Sequence, residues 1–235
     1  KMGITTLDDK DDNLAMALGG LTRGVTPLEM ASAYGTFANK GVHVKPTAIV
    51  KILDRDGNVL EDASTLEKEE TKTRVMSERE AYEMTTMLEG VIDHGTGTAA
   101  AIGRPAAGKT GTTDDNKDAW FVGYTPELVT AVWIGDDTST NAGYTGGTIP
   151  AAIWRDFMSV ALGQYKSKSF DIPDSVRAEM AKAREAQAKK EAEDKAKAEK
   201  EKKDKEKKSA GSKLLDRITG KTPAKPQEGT DKPTN

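Results

Sequence analysis

Cysteine is absent from the 235 residues. Disulfide scaffolds, thiolate zinc sites and thiol nucleophiles are therefore excluded. Histidine is nearly absent: His43 and His94 are the only two, and they stand too far apart for a His-rich metal motif. Aromatic residues amount to 5%, and every Trp, Phe and Tyr precedes Ile172, so the core must lie in that part of the chain. No run of about 18 apolar residues occurs, so no membrane span is expected. No secretory signal peptide is recognisable.

An excess of one charge sign is also lacking, with 35 Lys+Arg against 38 Asp+Glu. The near balance hides a split. Residues 1–176 hold 17 basic and 26 acidic side chains, whereas residues 177–213 hold 14 and 9. An acidic body with a mildly basic tail offers no concentrated basic face, so nucleic acid is not an expected partner.

Local patterns predict several elements. Thr26, Pro27 and Glu29 form a capping box with proline at the first helical position, and a mostly apolar helix over 27–40 should follow, buried nearly all round. Residues 48–61 read as a hairpin around Asp54-Arg55-Asp56-Gly57-Asn58, and residues 61–72 as polar loop. Ser77 and Glu80 form a second capping box for a helix over 77–93 with one apolar face. Residues 119–125 and 128–134 are strand-like and separated only by Pro126-Glu127, which permits only an antiparallel turn. Residues 136–147 read as a long loop, with Asp136 and Asp137 solvated beyond the strand end. A helix over 150–162 comes next. The charged run Asp8–Asn13 reads as solvated loop, without the glycine and distal glutamate of a calcium loop. From about Asp174 the chain turns into Ala, Lys and Glu with no apolar stripe: a solvated helix or a disordered tail that ends in Pro223, Pro226 and Pro233. Contact of this Lys-rich tail with an anionic surface is the alternative to plain solvation.

Chemistry concentrates in residues 103–113, where two motifs overlap. Gly103, four residues, then Gly108-Lys109-Thr110 matches a phosphate-binding loop. Its context argues against that reading. The preceding residues 96–102 are Gly, Thr and Ala with one Ile, and Gly111-Thr112-Thr113-Asp114-Asp115-Asn116 is turn chemistry where a helix should begin. The second reading places Lys109-Thr110-Gly111-Thr112 on an edge strand serving acyl transfer. Lys109 would supply positive charge and help move a proton, and the hydroxyls of Thr110 and Thr112 would bind a carboxylate. Gly111 would let substrate backbone lie close, and the N–H of Thr112 would complete an oxyanion hole.

The surroundings favour the second reading. Gly108-Lys109-Thr110-Gly111-Thr112-Thr113 followed by Asp118-Ala119-Trp120-Phe121-Val122-Gly123-Tyr124-Thr125-Pro126 resembles the transpeptidase domain of class A, bifunctional penicillin-binding proteins. So do Gly24-Val25-Thr26-Pro27-Leu28-Glu29-Met30-Ala31-Ser32-Ala33-Tyr34-Gly35-Thr36-Phe37-Ala38-Asn39, Met87–Ile92 with Gly95-Thr96-Gly97, and Ile149-Pro150-Ala151 with Trp154. The resemblance covers roughly residues 12–173.

It implies an α+β fold: an antiparallel sheet built from residues 107–113, 119–125 and 128–134 and covered by helices, with residues 1–173 forming the C-terminal part of a transpeptidase domain and 174–235 a low-complexity tail. It implies D,D-transpeptidation of peptidoglycan on the extracytoplasmic face of the cell membrane. The partners would be D-Ala-D-Ala stem peptides and β-lactams, without metal or cofactor. Lys109 and Thr112 would be the catalytic residues. Thr110, Gly111, Thr112 and Trp120 would bind substrate.

The chain departs from that family in one respect. The family's nucleophilic serine is followed three residues later by lysine, and no serine here has that spacing. The one Ser-x-Asn match, Ser139-Thr140-Asn141, follows Lys109 instead of preceding it and is read as a decoy. The expectation is that both motifs lie upstream of Lys1, in a parent that also carries a membrane anchor and a glycosyltransferase domain. This chain alone should then be inactive and expose apolar surface. A non-catalytic wall-associated scaffold of the same fold is the alternative.

Overall fold

The structure is a computed structural model and describes residues 1–63, 72–136, 138, 140, 141 and 143–220. It divides into two units, the first ending at Val176 and the second beginning at Arg177. Asp137, Ser139, the centre of the segment expected as polar loop (residues 64–71) and the proline-containing end of the tail lie outside the described residues.

The first unit is an α+β fold. Its elements run α1 (Pro27–Ala38), β1 (Val42–Val44), β2 (Lys51–Leu53), β3 (Val59–Asp62), β4 (Lys72–Arg74), α2 (Glu78–Asp93), β5 (Ala107–Thr112), β6 (Ala119–Tyr124), β7 (Val129–Ile134) and α3 (Ile149–Ala161). The central sheet has the order β5-β6-β7, antiparallel throughout. β2 and β3 form the expected hairpin, with a bulge at Ile52/Leu53. β1 pairs with β4 across a long sequence separation, so Lys72 belongs to a strand and not to the polar loop expected there.

Both capping boxes form as the sequence dictates. The Thr26 hydroxyl accepts from Glu29 N at 3.2 Å, and the Ser77 hydroxyl from Glu80 N at 3.2 Å. Each supplies an acceptor to the otherwise unpaired first-turn N–H groups. Glu29 does more than cap. Its buried carboxylate accepts from Thr26 N (2.9 Å), Thr26 Oγ1 (3.0 Å), Thr5 N (2.7 Å), Thr5 Oγ1 (2.9 Å) and Thr6 N (3.1 Å). The segment preceding α1 is thereby tied to the helix N-terminus, where negative charge is also favoured. Asp11 behaves similarly and corrects the solvated-loop expectation for residues 8–13. It is buried and accepts from Thr22 N at 2.7 Å and Thr22 Oγ1 at 2.6 Å.

Strand alternation assigns the two faces of the sheet. Ala119 and Phe121 of β6 point to α3, where the Phe121 and Trp154 rings meet edge-on at 5.3 Å. Both are fully buried with Met158, each such side chain contributing about 1.5–3 kcal/mol. Gly123 makes room for them: a Cβ there would come 2.9 Å from Trp154 and Phe121. Tyr124 points the other way, edge-on to Tyr34 of α1 at 6.4 Å. The Thr85 hydroxyl donates to Ala81 O (2.8 Å) and so accepts a hydrogen bond from the Tyr124 hydroxyl (2.9 Å). Burial pushes the Tyr124 hydroxyl well above its ordinary pKa.

Helix α1 is less buried than its composition suggests. Glu29, Ala33 and Thr36 are covered, while Leu28 stays 64% exposed and Tyr34 and Phe37 are half-buried against the Tyr124 cluster. Ile149, Ile153, Phe157 and Val160 form an exposed apolar stripe along α3.

The second unit contains α4 (Asp174–Ile218), a 45-residue helix whose first three residues belong to the first unit. Its described side chains beyond Arg177 are exposed, and Glu185–Lys189 and Glu199–Lys203 pair at i,i+4. Such surface pairs add about 0.3–0.5 kcal/mol each. No helix among the described residues is long and apolar enough to cross a membrane.

Two measurements check these features. The Glu29 carboxyl is held down from the usual 4.5 to about 2, first by the Thr26 N–H and next by the Thr5 N–H. The unfolded state therefore takes up a proton before the folded state does, so stability is fully present above pH 4.5 and falls as pH drops from there towards 2. Urea midpoints should show a shallower acid loss in Glu29→Gln than in the wild type, from a lower starting value. For α4, spin labels on Cys introduced at Ala183 and Ala210 would be unique in this cysteine-free chain. A continuous helix puts them about 40 Å apart in a narrow distribution. A flexible coil would give a broad distribution near 29 Å, on the order of 5–6 Å times the square root of the intervening length.

Candidate active site

The register of β5 decides what its outer edge offers. Thr113 N donates to Asp118 O at 3.0 Å. Residues 113, 111, 109 and 107 therefore exchange hydrogen bonds with β6, and the N–H and C=O groups of Thr110 and Thr112 point away from it. Thr125 N, donating to Leu128 O at 2.9 Å, sets the complementary phase between β6 and β7. Helix α2 packs against β5, and Ala107 and Gly108 are buried, whereas Lys109 through Thr112 are exposed or half-buried. The accessible edge of the sheet is thus the Lys109-Thr110-Gly111-Thr112 segment. Since Lys109 and Thr110 sit inside a strand and open no helix, the phosphate-loop reading does not fit.

Alternation then sorts the predicted residues. Lys109, Gly111 and Trp120 share the face of Tyr124, and Thr110 and Thr112 share the face of Phe121. The two sets meet at the edge. Lys109 Nζ donates to Thr110 O at 2.8 Å, which brings the ammonium round to the edge. The Thr110 hydroxyl is paired with the Thr96 hydroxyl at 2.7 Å. The Thr112 hydroxyl accepts from Gly146 N at 3.1 Å, which leaves its own proton free to donate. Trp120 is half-buried opposite Gly111 and tilts against Trp133 at 6.2 Å. Phe121 belongs to the core.

Three contributors escape a residue-by-residue reading of the sequence. Gly146, in the loop before α3, lies flat on the sheet. A Cβ there would come 2.1 Å from Trp120 O and 2.5 Å from Gly111 O, so only glycine lets the loop approach and meet Thr112. Trp133 was predictable from the length of the 126–127 turn, which fixes it opposite Trp120. Asp118 had the signal of polar residues bracketing a turn, Thr113 on one side and Asp118 on the other. Asp136 follows the end of β7 and is exposed, as expected, and its carboxylate also organises the following loop. It accepts from Thr138 Oγ1 and Thr138 N, and from Thr140 Oγ1. The Thr138 hydroxyl, then the Thr140 hydroxyl, hold its carboxyl down to about 2. His94 caps the C-terminus of α2. Among the described residues no three His, Cys, Asp or Glu side chains converge as metal ligands would.

Comparison with known proteins gives a consistent picture. The family profile described as penicillin binding protein transpeptidase domain matches residues 7–159. Penicillin-binding protein 1A of Neisseria gonorrhoeae is 45% identical over 169 residues, covering 70% of this chain and 21% of that protein. Penicillin-binding protein 1F of Bacillus subtilis is 40% identical over 163 residues, covering 66% and 22%. The chain thus spans about a fifth of the length of the curated relatives it matches, between 21% and 22%. Among solved structures, the penicillin-binding protein PonA1 of Mycobacterium tuberculosis superposes with a TM-score of 0.65 at 30% identity, covering 74% of this chain and 51% of that one. The same protein in complex with penicillin V superposes at 0.63 with 33% identity, covering 73% and 48%. The matched segment contains the β5 edge, the β6–β7 hairpin and most of α3, and on it the chain belongs to the penicillin-binding protein transpeptidase family.

Proposed function

We propose that this chain supplies the Lys-Thr-Gly wall of a serine-type D,D-transpeptidase that crosslinks peptidoglycan outside the cytoplasm. The observation that carries the reading is the open edge at Lys109–Thr112, with the Thr112 N–H directed outwards and the Lys109 ammonium beside it. An extended stem peptide can align along such an edge through main-chain hydrogen bonds.

In the proposed reaction, a serine hydroxyl from the remainder of the parent protein attacks the penultimate D-Ala carbonyl. The carbonyl oxygen becomes an oxyanion, which the Thr112 N–H stabilises. Collapse breaks the peptide bond as the serine's proton passes to the leaving nitrogen, so the terminal D-Ala departs with a free amine and an acyl-enzyme ester remains. The amine of a neighbouring stem peptide then attacks the ester, forming the crosslink as the ester C–O bond breaks and one of the amine's protons passes to the serine oxygen. Lys109 attracts the terminal carboxylate and lowers the cost of moving the proton. The Thr112 hydroxyl donates to the same carboxylate with its free proton, and the Thr110 hydroxyl can do so when Thr96 donates to it. Trp120 backs Gly111 on the Lys109 face, and Gly111 lets the peptide lie close. β-Lactams would enter by the same route and trap the serine.

The absence of any serine with lysine three residues on supports placing the nucleophile elsewhere in a longer parent, as does the small share of its relatives that the chain spans. On this reading the isolated chain does not acylate. The parent carries the nucleophile, the membrane attachment and, by the class A resemblance, a glycosyltransferase domain.

The test is covalent labelling of source-cell membranes with fluorescent penicillin. Peptides of this chain should be found in a labelled protein well above 25.2 kDa. In that parent, Lys109→Ala should slow acylation on the order of 100-fold. Peptides found only in an unlabelled protein of about 25.2 kDa would establish the scaffold reading instead. Wild-type acylation by Lys109→Ala would remove Lys109 from the site.

A further inference from the structure

One carboxylate ties together all three strands of the sheet next to the proposed oxyanion donor. Asp118 precedes β6, and its Oδ1 accepts from Trp133 Nε1 of β7 at 2.8 Å. Its Oδ2 accepts from Thr113 Oγ1 at 3.1 Å, immediately after β5. Its main chain closes the same junction, with Asp118 N donating to Thr113 Oγ1 at 2.8 Å and Thr113 N to Asp118 O at 3.0 Å. Thr113 is the residue that follows Thr112, and Trp133 is the ring that leans on Trp120.

The turn between these residues needs such a clasp. Asp115 has φ 58° and Asn116 φ 53°, left-handed conformations that non-glycine residues adopt at a cost. Without the Asp118 carboxylate the main-chain bonds of the turn persist, Thr113 N to Asp118 O and Asn116 N to Thr113 O, but the Thr113 hydroxyl proton and the Trp133 ring each lose their acceptor. The end of β5 would then be held less firmly in direction, and the direction of an N–H governs what it can do for an oxyanion.

We propose that Asp118 is a positioning residue for acyl transfer. By clasping Thr113 and Trp133 it fixes the direction of the Thr112 N–H at one end and the stance of the Trp120–Trp133 pair at the other. The inference rests on the transpeptidase reading of the β5 edge. Asp118 itself touches no reacting atom.

The test uses the full-length parent and pre-steady-state acylation by benzylpenicillin. It separates the acylation rate constant, the dissociation constant of the initial complex, the number of titratable sites and the melting temperature. Asp118→Ala should lower the acylation rate constant about 10–100-fold, as a small misplacement of a catalytic group does, with the number of sites unchanged. Asp118→Asn can accept from Trp133 and donate to Thr113, and should keep the rate within about threefold of wild type. Thr113→Val and Trp133→Phe each remove one arm of the clasp and should cost about three- to tenfold.

Three results would overturn the proposal. One is wild-type acylation by Asp118→Ala. Another is a loss of titratable sites and melting temperature while the surviving fraction acylates at the normal rate, which makes Asp118 merely structural. The third covers an Asp118→Ala protein that fails to fold: normal rates in both Thr113→Val and Trp133→Phe would then decide against the clasp. A wild-type parent that takes no penicillin removes the transpeptidase reading and this inference with it, and is seen before any variant is compared.

Discussion

The phase of hydrogen bonding in the β5-β6-β7 sheet is the constraint on which the rest depends. An antiparallel strand sends alternate residues' main-chain groups to opposite sides. Because Thr113 bonds back to Asp118 and Thr125 to Leu128, Thr110 and Thr112 are committed to the outer edge and Lys109 and Gly111 to the inner pairing. A slip of β5 by one residue would turn the Thr112 N–H into the sheet, and a slip of β6 would exchange the faces of Phe121 and Tyr124. Phe121 is packed on Trp154, and Tyr124 is bonded to Thr85, so the two halves of the core hold that phase. The site therefore needs no separate scaffold. The packing that excludes water from the core also aims the edge.

This explains why side chains from both faces can serve one edge. Lys109 reaches round to Thr110 O from the Tyr124 face. Thr112 is steadied from the Phe121 face by Gly146, which must be glycine to lie against the strand backbone. The two contributions are independent in sequence and converge only at the strand.

Much of this was legible beforehand, and the reasons are local. Thr26 with Glu29 and Ser77 with Glu80 are helix starts written within four residues. The two-residue turn after Thr125 forces a hairpin, and the Lys109 segment reads as an edge strand because apolar residues give way there to Thr and Gly. What escaped depends on partners far apart in the chain. β1 and β4 are three residues each, with β4 wholly exposed and only His43 of β1 buried, so no periodicity announces their pairing. Asp11 looks like a solvated charge until Thr22 folds over it, and Glu29 looks like an ordinary cap until Thr5 and Thr6 reach its other oxygen. The partial exposure of α1 was also unreadable, since apolar composition states what a helix can bury, not what is there to cover it.

The Glu29 clasp has a mechanical consequence. Tension applied through residues 1–4 would meet a set of hydrogen bonds at Thr5, Thr6 and Thr26 that converge on a single carboxylate and share the load. The force would pass first into the opening turn of α1, where the same carboxylate caps the helix.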